Sequence, residues 1–273
     1  MVEFGDSLSF TYVMGGLARD YTSNYQDEAA RIGGPRARIG GPGDVYGGLV
    51  MHWLDVAEEG GMPIDPRLWT EAPIASTYPA CMAVKAAAEQ MPDGGYAYLR
   101  ALREGLLCFR RKLDTTEALV EEARRVRLDV ERFRIALGSH AIVEAFGADL
   151  ELTRAVPEDA RQRGGAKLGQ GGERVALPTM VFEAEDGARH AVYDVRPYED
   201  YREAALAAGA TPVDGAVPGV LEALRRFGRM ATREVEAVCD LPTPRAAAQL
   251  WQLATDWKVR PVRVLTGYLW EPA

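Results

Sequence analysis

The chain runs to 273 residues, 47% apolar and 26% charged, enough for a full hydrophobic core in one large domain or one domain with extensions. Its net charge of −8 argues against a general binder of nucleic acid or of an anionic membrane, and no apolar run approaches the roughly 20 residues that cross a bilayer. Three distant cysteines, Cys81, Cys108 and Cys239, form no Cys-x-x-Cys. So sparse and odd a count speaks against a disulfide framework and for a reducing cytoplasm, and no basic-then-apolar leader opens the chain.

Taken in chain order, "SFTYVMGG" predicts a strand from about Ser7 to Met14, ended by Gly15 and Gly16. Residues 19–44, with "RIGGPRARIGGPG", predict a loop. "VYGGLVMHWLDVAEEGG" spaces Leu49, Trp53 and Val56 as a helix closed by Gly60, and "MPIDPRLWTEAP" is a second loop. From Ser76 the pattern stays helical. Ser76 or Thr77 caps "YPACMAVKAAAEQ", with Pro79 in the first turn; "GYAYLRALREGLLCFRRK" lines up Tyr98, Leu102, Leu106 and Phe109; Asp114 or Thr115 caps "TEALVEEARR". Two short helices, broken near Gly138, lead to "RQRGGAKLGQGGE", read as a flexible link. Strands 174–184 and 188–195 and a helix on "PYEDYREAALAAG" follow. The last stretch, 213–273, predicts a helical extension ending in a hairpin or a terminal strand on "RPVRVLTGYLW".

The order is β, a helical block, β, β, α, an α/β pattern with a helical insertion. Pro178 is its oddity. It stands where a strand should begin, and it removes a ladder donor. Two explanations are open from the residues alone: a trans proline at the first position of an edge strand, or a cis peptide at a tight bend.

Four segments carry a resemblance. "FTYVMGGLARDY", "APIASTYPACMAVKAAAEQ", "LDVERFRIAL", and "ALPTMVFE" with "YDVRPYEDYREAALAAGA" resemble, in order and spacing over residues 4–210, the DsbA-like thioredoxin family, in particular its cytoplasmic branch of FrnE-type and YjbH-type proteins. The resemblance implies a thioredoxin-like α/β domain over 1–212, with a helical insertion at about 45–165 and a C-terminal helical extension over 213–273. It implies a cis peptide before Pro178, and a cleft in which Leu177, Pro178, Thr179, Met14 and Gly15 hold substrate. The implied activity is thiol-disulfide exchange or isomerisation on a protein or small-molecule thiol or disulfide. Family members carry a strand and a Cys-x-x-Cys ahead of the matching segments, and within these 273 residues that dithiol is absent. Either the true start lies upstream, or the protein is a relic without redox chemistry. As written, the chain has no catalytic residue and is expected to be redox-inactive. The alternative reading is a non-catalytic adapter that holds an extended peptide in the same cleft. A sheet without its leading strand also predicts an exposed edge, covered by a second copy in a homo-oligomer or by a borrowed element.

Other candidates carry less. Cys81, in a helix's first turn, is either a redox thiol or a small buried hydrophobe, and the apolar neighbours favour the second. Cys108 reads as core. His52, His140 and His190 lack partners at ligand spacing, so neither a metal nor a cofactor is expected. "GGPGDVYGG" lies too far from a strand for a dinucleotide fingerprint and fits a lid over a cleft better. The C-terminal helices faintly resemble a winged helix. Residues 218–273 carry eight Lys/Arg against six Asp/Glu, a net of +2, too little for phosphate contact, so a docking subdomain with Leu250, Trp251, Leu253 and Trp257 on its apolar face is expected.

Overall fold

Residues 2–21, 45–91, 93–213, 215 and 217–273 are described by the computed structural model. The glycine-rich stretch read as a lid falls largely at 22–44, outside them. In chain order the helices are α1 Val45–Gly60, α2 Leu68–Glu71, α3 Tyr78–Ala88, α4 Tyr96–Leu107, α5 Thr116–Arg125, α6 Val130–Leu137, α7 His140–Arg154 and α8 Glu158–Gln162. Strands β1 Ala166–Gly169, β2 Gly172–Val175, β3 Thr179–Glu183 and β4 Arg189–Tyr193 follow, then α9 Tyr198–Ala207 and α10 Val220–Phe227. The chain closes with β5 Met230–Ala231, α11 Thr232–Val238, α12 Thr243–Thr255, β6 Val259–Val264 and β7 Gly267–Pro272. Packing divides these into two units. One comprises Met1–Asp20, Ser76–Arg100 and Asp114–Asp214; the other comprises Tyr21–Ala75, Ala101–Leu113 and Gly215–Ala273.

In the first unit the helical insertion is built on small residues. Ala83, Ala86 and Ala87 of α3 are fully buried, so the backbones of α5, α6 and α7 approach it closely. Each of these three helices starts on a side chain that satisfies an otherwise unpaired backbone N–H. The Thr115 hydroxyl accepts from Ala118 N, the Asp129 carboxylate from Glu131 N and Arg132 N, and the Ser139 hydroxyl from Ile142 N. Buried Tyr98 packs on buried Phe133, centroids 5.3 Å apart, and its hydroxyl donates to Leu119 O at 2.9 Å.

Several elements differ from the sequence reading: the loop expected at "MPIDPRLWTEAP" contains α2, α8 was not expected, and three further differences lie in the first unit. The strand expected over Ser7–Met14 is extended at Leu8 (φ −121°, ψ 127°) but joins no ladder among the described residues. Its alternation fixes an extended backbone, yet a strand also needs a neighbour for its N–H and C=O groups. Here Tyr12 stacks on Tyr96, centroids 5.9 Å apart, and Met14 N–H donates to a helix carboxylate instead. The segment read as a flexible link forms the β1–β2 hairpin. Gly171 and Gly172 hold φ of +105° and +109°, which ordinary side chains rarely adopt, and so close its tight turn. The expected continuous strand 174–184 is two strands, β2 and β3, separated by Ala176–Pro178. β3 pairs antiparallel with β4, Thr179 opposite Tyr193 and Glu183 opposite Arg189. Phe4, Phe182, Val192, Ala205 and Ala210 form the core beneath that hairpin and α9.

In the second unit, α10, β5, α11, α12 and the β6–β7 hairpin follow one another, and β7 lies between β5 and β6. This is the order and pairing of a winged helix-turn-helix. Leu224, Val235, Leu250 and Trp270 fill its core, and Trp270 Nε1 donates to the Thr232 hydroxyl at 2.9 Å. The expected apolar face of α12 is only partly buried. Leu250 is core, whereas Trp251 is 44% exposed, edge-on to Tyr268 and Trp270. Trp257 is 88% exposed because it sits past the helix end, in a turn at φ +56°, where the 3.6-residue period no longer sets its direction.

Candidate functional site

The site residues read from the sequence lie in the first unit. The Leu177–Pro178 peptide is cis. Pro178 is exposed, while Leu177 and Thr179 are half-buried. The Thr179 hydroxyl donates to Ala176 O at 2.6 Å and clamps the corner across the proline. The Met14–Gly15–Gly16 turn comes directly against it. A Cβ on Gly15 would lie 2.3 Å from Leu177 Cδ1, so only a residue without a side chain lets Leu177 rest on that backbone. Gly16 has φ +53°, and a Cβ there would lie 2.6 Å from Leu150 Cδ2 and 3.0 Å from Phe146 Cζ. The two glycines therefore do different work: one receives the proline corner, the other lets the turn sit on α7.

What fixes the turn is a buried ion pair that pattern reading missed. Asp149 of α7 accepts from Met14 N–H at 2.8 Å through Oδ2, and Lys85 Nζ of α3 lies 3.0 Å from its carboxylate. Both charged residues project from helices of the insertion, 64 positions apart, and no sequence spacing relates them. The one available signal was a single acid among the otherwise apolar positions of "IVEAFGADL" facing inward. On the far side of the turn, Thr77 Oγ1 accepts from Ala18 N at 3.0 Å, and Gln170 at the β1–β2 turn accepts from Arg19 N and donates to Asp20 O.

Cys81 lies beside this corner, in the first turn of α3. Burial pushes its thiol up to about 11, against a weaker pull from a Gly16 backbone hydrogen bond and with further opposition from Asp149. A thiol so shifted stays protonated at neutral pH and is a poor nucleophile, which agrees with its reading as a buried hydrophobe. Cys108 donates its thiol hydrogen to Pro63 O at 3.2 Å. None of the three cysteines forms a disulfide. Among the described residues no cluster of His, Cys, Asp and Glu is placed to hold a metal ion, and no helix is long and apolar enough to cross a membrane.

A family model described as thioredoxin matches residues 1–157, the stretch that holds the glycine turn and most of the helical insertion. The chain belongs to the thioredoxin family. Its thioredoxin-like α/β fold carries the expected helical insertion. The ClpXP adapter protein SpxH of Halalkalibacterium halodurans is 30% identical over 223 residues, covering 80% of this chain and 67% of that protein. The ClpXP adapter protein SpxH of Bacillus subtilis strain 168 is 25% identical over 230 residues, covering 82% and 71%. A crystal structure from Nitrosomonas europaea, provisionally assigned as a protein disulfide isomerase, superposes with a TM-score of 0.45 at 19% identity, over 56% of this chain and 68% of that one.

Proposed function

We propose that this protein is a non-catalytic adapter that binds an extended polypeptide along the Leu177–Thr179 corner and the adjoining edge of β3. The observation that carries the reading is the Cys81 thiol, the cysteine beside the corner, held near 11 by burial in a chain whose sequence contains no Cys-x-x-Cys. Strand addition needs no reactive group: main-chain hydrogen bonds supply affinity and alternate side chains supply selectivity. The relatives named as ClpXP adapters support a protein partner. Met14 and Gly15 would shape the floor of the cleft, Leu177 would offer backbone groups, and Pro178 and Thr179 would set its wall.

The test is a reconstituted ClpXP digestion of the host proteome, read by mass spectrometry with and without this protein, beside an insulin-disulfide reduction assay. We expect a small set of proteins to disappear faster in its presence. Gly15→Ala, which displaces Leu177, should reduce that acceleration, and insulin reduction should stay at background. Insulin turnover that vanishes in Cys81→Ala would overturn the reading in favour of thiol chemistry, as would a proteome whose decay ignores the protein.

A further inference from the structure

The second unit contains a cavity of about 350 Å³ lined by Asp65, Arg67, Cys108, Phe109, Arg110, Arg263, Val264 and Leu265. Three guanidinium groups and one carboxylate face it, so its lining is cationic. The carboxylate is the organiser. Asp65 is only 4% exposed; it accepts from Arg67 Nε at 2.9 Å and Nη2 at 2.6 Å, and Arg110 Nε lies 3.4 Å away. Burial alone would push this carboxyl up, but the Arg67 hydrogen bonds and the Arg110 charge outweigh it and hold it below the usual carboxylate range. Arg110 Nη1 also donates to Glu71 Oε2 at 2.5 Å, so Asp65 and Glu71 together hold the two forks, and only the N–H groups that neither carboxylate takes are left for another acceptor. Arg110 has φ +53°, a backbone state uncommon for a residue with a side chain and found preferentially where a fixed geometry is used.

Arg263 completes the arrangement. It meets a backbone carbonyl at 3.4 Å and the Tyr268 ring at 4.7 Å, and no carboxylate among the described residues. The apolar lining is Phe109 and Leu265, the last 45% exposed at the hairpin turn, over buried Val264. We infer that this cavity binds an organic carboxylate carried on a branched apolar group, with Arg263 and the forks held by Asp65 and Glu71 on the carboxylate and Leu265 and Phe109 on the apolar body. A polypeptide C-terminus ending in an aliphatic residue and a free branched carboxylic acid share this chemistry.

Calorimetric titration of the full chain with N-acetylleucine, N-acetylleucinamide, 4-methylpentanoate and inorganic phosphate tests it. We expect saturable binding of N-acetylleucine, about tenfold weaker for the amide, and weakened by added salt. Arg263→Gln should lower affinity about fivefold at an unchanged melting midpoint, with Arg263→Lys in between because an ammonium cannot chelate a carboxylate. Leu265→Ser, at an exposed turn, is an independent variant and should also weaken binding. Tighter binding of N-acetylleucine than of 4-methylpentanoate points to a polypeptide C-terminus; equal binding points to a free acid. Equal binding of acid and amide, phosphate as the tighter ligand, indifference to both variants, or no saturable binding would each overturn the inference.

Discussion

Asp149 in the first unit and Asp65 in the second are both buried carboxylates held by cations, and they end in opposite situations. Asp149 spends its oxygens on Lys85 and on the Met14 amide; its surroundings are closed, and its role is to seat the glycine turn beneath the proline corner. Asp65 gathers Arg67 and Arg110 at the wall of a cavity, where Arg110 reaches Glu71 as well. Pairing a buried charge is required in either place. The difference lies in the partner. An ammonium is a point charge that one carboxylate and its neighbours can saturate, whereas two guanidiniums bring more donors than one carboxylate can take.

The comparison can be broken most sharply at Lys85. Lys85→Met removes the cation and leaves Asp149 charged and buried, which should cost about 3 kcal/mol of unfolding free energy, measured by urea denaturation at neutral pH.

A smaller effect is expected at Asp65. Its folded-state carboxyl lies below the usual range, so its contribution to stability is fully present above the unfolded value near 4 and is lost as pH falls through the lower folded value. Asp65→Asn should therefore destabilise the protein at pH 7 and narrow toward wild type below about pH 3, read from melting midpoints across that range. A constant offset between the two proteins across that range would show that Asp65 does not work through its charge.

The smallest expected effect separates the first unit's corner from its capping. Thr115→Ala deletes one hydroxyl acceptor at the start of α5 and should cost about 1 kcal/mol, with no change in ClpXP-dependent turnover. Loss of turnover in that variant would show that the insertion helix, and not the corner, carries partner binding.

Much of this protein was legible in the order of its residues. Alternation and spacing gave the helices of the insertion, the β3–β4 hairpin and α9, because local periodicity and turn residues act within a few positions of themselves. The proline at 178 could be singled out because a missing N–H is a covalent fact. Other features were not readable. Ser7–Met14 has strand alternation but no ladder, since pairing depends on what lies alongside. The β1–β2 hairpin was hidden in a glycine-rich stretch whose positive φ values only the fold reveals. The Trp257 ring points outward because a turn intervenes after α12.

Sequence by itself determined most of the helices, the sparse cysteines and the family to which the chain belongs. Tertiary structure alone decided that Gly15 receives Leu177, that Lys85 and Asp149 meet beneath Met14, and that residues 21–75, 101–113 and 215–273 form one unit in which Asp65, Arg110 and Arg263 line a common cavity. Each of those is a contact between groups far apart along the chain. Contacts of that kind form only when packing brings together charges and backbones whose spacing in the sequence carries no trace of the encounter.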